Sequence, residues 1–236
     1  MIRPSRILTY ASRLVSRGLF ALCMAVGLTT ALPSHGQGFL KIERDSVPLF
    51  QGFSVSADLA GAAMMVLSDY GQYEGAVKVN LHNQYFPVVE VGYGKANHEN
   101  DEVTGVNYKT AAPYFRVGCD FNIMKNKHTG NRILVGLRYG FTRYKVDIDR
   151  ETFADPIWQW DTQYGVKDEQ CSQHWAEVNF GLDAKVAGPL HLGWNIRYRQ
   201  RLSHNDGIMG KTWYVPGYGT QNGTKIAAMF NLTIEI

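Results

Sequence analysis

The sequence predicts an all-β fold: an eight-stranded antiparallel transmembrane β-barrel with short periplasmic turns and long surface loops, following a cleaved amino-terminal signal peptide. Three observations carry the prediction. They are a basic and then apolar amino end, eight segments in which apolar and polar residues alternate with period two, and connections that alternate between long and short. The composition agrees. Of 236 residues, 45% are hydrophobic, 12% aromatic and 19% charged, with 24 Gly, which excludes a disordered chain and favours many short strands. The three Cys form no CxxC pair, which excludes a zinc ribbon and a disulfide-stapled mini-fold.

The formal charge of +3 does not point to nucleic acid. Arg3, Arg6, Arg13 and Arg17 lie in a stretch with no acid, and without them 20 basic residues face 21 acidic ones. Those arginines are followed by an uncharged run, Gly18 to Leu32, and by the small residues Ser34 and Gly36 at −3 and −1 of a cleavage site before Gln37. Residues 1–36 therefore read as a signal peptide. Residues 37–51 read as a periplasmic strap, because Phe39, Leu40, Ile42, Val47, Leu49 and Phe50 interleave with Lys41, Glu43, Arg44 and Asp45, too mixed to span and too apolar to float free. Residues 52–236 are left for the barrel.

The strands follow in order. The first sets Phe53, Val55, Ala57 and Leu59 against Ser54, Ser56 and Asp58; the second sets Val77, Val79 and Leu81 against Lys78, Asn80 and His82. The third has Val89, Val91 and Tyr93 against Glu90, Gly92 and Gly94. The fourth has Phe115, Val117, Cys119, Phe121 and Ile123 against Arg116, Gly118, Asp120 and Asn122. The fifth runs Ile133 to Phe141 with Arg132, Gly136, Arg138 and Gly140 on its polar face, and the sixth runs Ala176 to Val186 with Glu177, Asn179, Asp183 and Lys185. The seventh opposes Leu192, Trp194, Ile196 and Tyr198 to Asn195, Arg197, Arg199 and Arg201. The eighth alternates from Ile226 to Ile236, the last residue, against Lys225, Asn231, Thr233 and Glu235.

Periodicity alone does not say which face is buried. The export signal, the glycines scattered along the polar face and the loop lengths select an inside-out barrel, since Gly makes room only on a face that closes on its own side chains. The long polar loops are expected at 63–72, 96–112, 148–172 and 204–222, and the short turns at 82–84, 125–131 and 187–189.

An eight-stranded lumen has room for side chains and little else, so inward charges must pair. The expected network contains Asp58, Lys78, Glu90, Arg116, Asp120, Arg138, Glu177, Asp183, Arg197 and Arg199, with Arg132, Lys185, Arg201, Lys225 and Glu235 also inward. Counting from the turns pairs Glu177 with Arg199, Asp58 with Lys78 and Glu90 with Arg116. A second group is aromatic: Trp158, Trp160, Tyr164, Trp213, Tyr214 and Tyr218 in two surface loops, which either pack those loops on themselves or form a platform for sugar or protein. Ser172, His174, Ser203 and His204 at neighbouring strand ends allow a minor lipid-hydrolase reading. His98 with Glu99, Asp101 and Glu102 reads first as a solvated acidic loop and not as a metal site. No catalytic residue, metal site or cofactor is assigned.

Five runs, FLKIERDSVPLF from Phe39 to Phe50, SDYGQYEG from Ser68 to Gly75, APYFR from Ala112 to Arg116, GPLHLGW from Gly188 to Trp194 and WYVPGYG from Trp213 to Gly219, carry a resemblance to a family. The chain resembles a family of Bacteroidota outer-membrane proteins known as a domain of unknown function. The resemblance implies a membrane barrel in the cell outer membrane and brings no activity or catalytic residues. The expected role is non-enzymatic, a structural or accessory component of the outer membrane or of an envelope complex. A surface-binding or adhesion module is the alternative, and an outer-membrane lipid hydrolase a lesser one. Expected partners are outer-membrane lipids and lipopolysaccharide and a periplasmic or lipoprotein partner at the strap, with no nucleic acid.

Overall fold

Among the described residues the strands run β1 (Phe50–Asp58), β2 (Tyr70–Leu81), β3 (Tyr85–His98), β4 (Val106–Asn122), β5 (Arg132–Ala154), β6 (Asp161–Ala187), β7 (Leu190–Asn205), β8 (Tyr214–Val215), β9 (Gly219–Thr220) and β10 (Ile226–Glu235), and a helix, α1 (Leu59–Leu67), follows β1. This computed structural model describes residues 46–101, 105–154, 161–208, 210, 212–220 and 226–236. The signal peptide expected at 1–36 and most of the strap at 37–51 lie outside the described residues. Eight strands close into an antiparallel barrel in the order β1-β10-β7-β6-β5-β4-β3-β2, and β8 with β9 forms a separate two-stranded hairpin. Closure is made by β1 against β10, Ser54 opposite Glu235 through Asp58 opposite Asn231. Ile236 completes it, its N–H donating to the Phe53 carbonyl at 2.8 Å.

The burial is inverted. Val89, Leu137 and Trp194, on the apolar face, are 55%, 62% and 62% exposed, while Glu90, Arg116 and Asp120 on the polar face are at 1% or less. The glycines of that polar face do leave room. A Cβ at Gly92 would lie 2.2 Å from the Tyr114 ring and one at Gly140 2.4 Å from the Trp175 ring, so both large rings occupy space that a side chain would take.

Several expected boundaries are corrected. The barrel begins at Phe50, opposite Leu81, so the strap ends two residues earlier than expected. The segment 63–72 is no polar loop: it holds most of α1 and the start of β2. Ala60, Ala62, Ala63, Met64, Met65 and Leu67 are good helix formers, and the Asp58 carboxylate caps the first turn by accepting from Ala60 and Gly61 N–H at 3.1 and 3.0 Å. The segments 96–112 and 148–172 are largely strand, because β3 to β6 continue well past the apolar band. Their alternation persists but changes sense. In β5, Leu137, Tyr139 and Phe141 point outward below, whereas Tyr144 and Val146 are buried above with Arg143 and Lys145 outside. The loop 204–222 contains β8 and β9 and turns into the barrel mouth. Among the described residues no helix is long and apolar enough to cross a membrane.

Candidate functional site: the charged lumen and its inturned cover

Within the lower barrel, side chains from opposite walls reach one another. Glu90 on β3 receives Arg138 Nε at 2.7 Å, Arg197 at 3.0 Å through both terminal nitrogens, and Arg116 at 3.2 Å. Glu74 on β2 takes Arg116, the Tyr114 hydroxyl at 2.7 Å and Arg197 at 2.9 Å. Asp120 is held by Arg138 at 2.9 Å and Lys78 at 3.2 Å. Glu177 faces Arg116 Nε at 3.0 Å and Arg199 Nε at 3.5 Å, and accepts the Trp175 indole N–H at 2.6 Å. These carboxylates and guanidinium groups are buried, and only the mutual pairing offsets the cost of removing them from water.

A second, smaller cluster lies toward the chain ends. Arg132 on β5 meets Glu235 at 2.5 Å and Asp183 at 3.9 Å, and His191 bridges the same acids at 3.0 Å to Asp183 and 3.2 Å to Glu235.

Most of the expected charged residues come together here, with differences of arrangement. Glu177 stands opposite Arg199 and Glu90 opposite Arg116 in the ladders. They do not form isolated cross-strand pairs, however. The lumen is narrow enough for Arg197 on β7 to span to β2 and β3. Asp58 does not pair with Lys78: it terminates β1 and is taken by the amides of α1, while Lys78 turns to Asp120. Lys185 is exposed at the turn end, Arg201 is half-buried, and Lys225 lies outside the described residues.

Glu74 was missed because Gly75 interrupts the apolar face of the second segment. Extending that alternation back from Val77 through Tyr73 would have placed Glu74 inward.

Of the two expectations for the loop aromatics, Tyr214 and Tyr218 follow the one in which the loop packs. Tyr214 and Tyr218 are buried in an apolar cluster with Tyr108, Tyr114, Tyr144, Val146 and Trp175, and Trp213 packs at its edge. The loop is drawn inward by buried cations that need acceptors. Arg116 Nη2 donates to the Gly217 carbonyl at 2.6 Å, and Arg199 donates to the Tyr218 carbonyl. Tyr108 seals it from the wall with a 2.6 Å bond to the Tyr214 carbonyl. Trp158 and Trp160 lie outside the described residues, and Tyr164 is a backbone position in β6 opposite Arg150. His98 stacks on Trp213 with ring centroids 4.9 Å apart and faces Asp69 at 3.0 Å and Asp101 at 3.6 Å. No group of ligating side chains among the described residues is arranged to hold a metal ion. At the strand ends His174 Nδ1 is joined to the Tyr139 hydroxyl at 2.7 Å, His204 Nε2 faces Asp206 at 3.2 Å, and Ser203 stands opposite His174 in the ladder.

Three of the five runs that carried the family resemblance meet at this cover, through Glu74, through Tyr114 and Arg116, and through Gly217. A family model described as a domain of unknown function, DUF6048, matches residues 15–236. The chain belongs to the DUF6048 family. No curated protein matches this DUF6048 chain. A crystal structure of CarO2 from Acinetobacter baumannii aligns with it at 10% identity and a TM-score of 0.34, covering 81% of this chain and 99% of that one.

Proposed function

We propose that this DUF6048 protein is a small, non-conducting, non-enzymatic barrel of a Gram-negative outer membrane, the Bacteroidota one that the resemblance implies, acting as a structural or accessory component of the envelope. The observation that carries the reading is the inverted lower barrel. Its outward residues are apolar around the ring, and its lumen is filled by a mesh of ion pairs. The void bounded by Glu74, Lys78, Glu90, Arg138 and Arg197 measures about 10 Å³, room for about one water. In water an apolar exterior of this extent would be a liability, whereas in lipid it is the required surface, and a closed ring leaves no strand edge to satisfy. A filled lumen argues for a component that is held in the membrane and not for a pore.

On this reading the apolar band contacts outer-membrane lipids, Arg143 and Lys145 just above it face lipopolysaccharide phosphates, and the strap docks a periplasmic or lipoprotein partner. The inturned Tyr214 and Tyr218 favour this reading over an adhesion platform built on them. The test is the full chain expressed with its signal, fractionated, and reconstituted in planar bilayers. The expected result is a heat-modifiable band in the outer-membrane fraction and no unitary conductance. A urea-extractable protein, or stable single-channel steps, would overturn the reading.

A further inference from the structure

β1 stops halfway up the wall. Its pairing with β10 ends at Asp58 opposite Asn231 and its pairing with β2 at Ala57 opposite Gly75. Yet β10 continues up to Ile226 against β7, and β2 continues up to Tyr70 against β3. In the space between β10 and β2 the wall is completed by α1, which packs on both strands. The helix sits close because the strand beside it is bare: a Cβ at Gly71 would lie 2.3 Å from Met65 N. Asp58 bolts the seam, taking the first amides of α1 and a backbone hydrogen bond from Phe230 of β10.

Behind this helix lies a cavity of about 210 Å³. It is larger than the engineered apolar cavity of about 150 Å³ that takes up benzene, so it has room for a ring or a short alkyl chain. Its walls come from Met64, Ala227 and Met229 with the rings of Tyr70, Tyr214 and Tyr218. Met64, Ile226 and Ala228 both line it and are exposed on the outside of the barrel, so the cavity reaches the outer face beside α1.

One buried cation lines it, Arg199, and it is the least well neutralised of the network. Its ion pair to Glu177 Oε1 is 3.5 Å long, and that same oxygen already faces Arg116 at 3.0 Å and the Trp175 N–H at 2.6 Å. Among the described residues the five cations Lys78, Arg116, Arg138, Arg197 and Arg199 face five carboxylates, Asp58, Glu74, Glu90, Asp120 and Glu177, but Asp58 is turned to the amides of α1, so Arg199 shares the one carboxylate of Glu177 with Arg116. Asp58 also lines the cavity, but its carboxylate is occupied by backbone N–H groups.

We infer that the cavity behind α1 binds a single-chain anionic amphiphile, its carboxylate or phosphate head on Arg199 and its tail between Met64 and Met229, admitted from the side past the helix. The apolar walls select the tail and the loosely paired Arg199 guanidinium selects the anion. Entry from the bilayer rests on the membrane reading above; the cavity and its cation do not.

The test is titration of the reconstituted full-length protein with octanoate, octyl phosphate and octanol, followed by NMR of the ligand. Saturable binding of at least one anion, with octanol more than tenfold weaker, is expected; which head wins distinguishes a fatty carboxylate from a phospholipid-derived ligand. Ala227→Phe should abolish binding by filling the cavity, and Arg199→Gln should weaken it at least tenfold, both judged in protein that keeps its heat-modifiable band. Equal uptake of all three compounds, or binding untouched by Ala227→Phe, would overturn the inference. Extraction by urea would instead count against membrane insertion alone, because octanoate binding to the soluble protein would still support the cavity.

Discussion

The lower and upper halves of the barrel are built on opposite rules. Below, polar side chains are inside and apolar ones outside: Arg138 is buried while Leu137 and Tyr139 are exposed. Above, on the same strand, Tyr144 and Val146 are buried and Arg143 and Lys145 are outside. The two halves share the same strands, β5 of 23 residues and β6 of 27, although the β4–β5 pairing skips from Tyr114 opposite Thr142 to Thr110 opposite Val146 and the β6–β7 register shifts between His174 and Trp175. A membrane strand needs only about 9 to 11 residues, so on the membrane reading proposed above the excess would stand clear of the bilayer as an ordinary barrel with an apolar core. The sense of a strand's alternation reports what lies outside it, and on the membrane reading proposed above the flip between Phe141 and Arg143 is where the lipid boundary falls on β5.

The contrast is broken most severely inside the lower half. Arg116 touches Glu74, Glu90 and Glu177 and hydrogen-bonds the Gly217 carbonyl. Arg116→Met should take one partner from each of three carboxylates at once and cost roughly the 3 to 5 kcal/mol of a broken buried pair. Urea unfolding in detergent should register it, together with loss of the inturned loop as increased protease cleavage near Gly217. By contrast Glu177→Met combined with Arg199→Met removes one charge of each sign, and it should be milder than Glu177→Gln alone. A double variant at least as unstable as the single one would argue against the mesh.

Next in size is the outer face. Leu137→Lys places a charge in the apolar band, and about 2 to 4 kcal/mol is expected if that band faces lipid at mid-depth. The matched change above the boundary, Lys145→Leu, removes an exposed cation and should leave the unfolding midpoint where it is. Equal effects at the two positions would erase the boundary assigned to β5.

How far these halves are legible in the sequence follows from the same flip. All eight barrel strands are visible where apolar residues point out, and Glu90 opposite Arg116 follows from counting residues up from the turns. The upper extensions are hidden because an outward Arg143 and Lys145 followed by Asp147 read as loop, although Tyr144 and Val146 keep the period. α1 is hidden for a different reason. Leu59 continues the alternation of β1 by one residue, so nothing at that point announces that the next turn is helical; the alanines and the cap at Asp58 were the available signal. The inward course of Trp213 to Gly219 depends on Arg116 and Arg199 needing carbonyl acceptors, a contact across about a hundred residues of chain that no local pattern reveals.

Where the two halves meet, packing is tight. The Trp175 ring lies over Gly140 and its N–H is held by Glu177 below. Gly140→Ala should therefore cost about 1 to 3 kcal/mol by overpacking a fully buried ring. The near-ultraviolet circular dichroism of the folded protein should change with it. Alanine at Gly188, with nothing within 4 Å of its Cβ but a φ of +51°, tests backbone strain alone and should leave that spectrum intact.

The smallest expected effect is at Asp58, where β1 gives way to α1. If its role is to cap the helix, Asp58→Ala should cost roughly 0.5 to 2 kcal/mol, whereas Asp58→Ser keeps an oxygen acceptor at the cap and should recover most of that loss. If its role were instead the lumen pairing with Lys78 that counting from the turns suggested, Ser would be as damaging as Ala, because neither carries charge. Unfolding midpoints of the two variants, measured side by side, separate the roles. Hydrogen exchange adds the location: a lost cap should speed exchange in Leu59 to Leu67 and leave Lys78 and its neighbours on β2 protected. Faster exchange around Lys78 with α1 unchanged would return Asp58 to the charge network and remove the bolt from the seam.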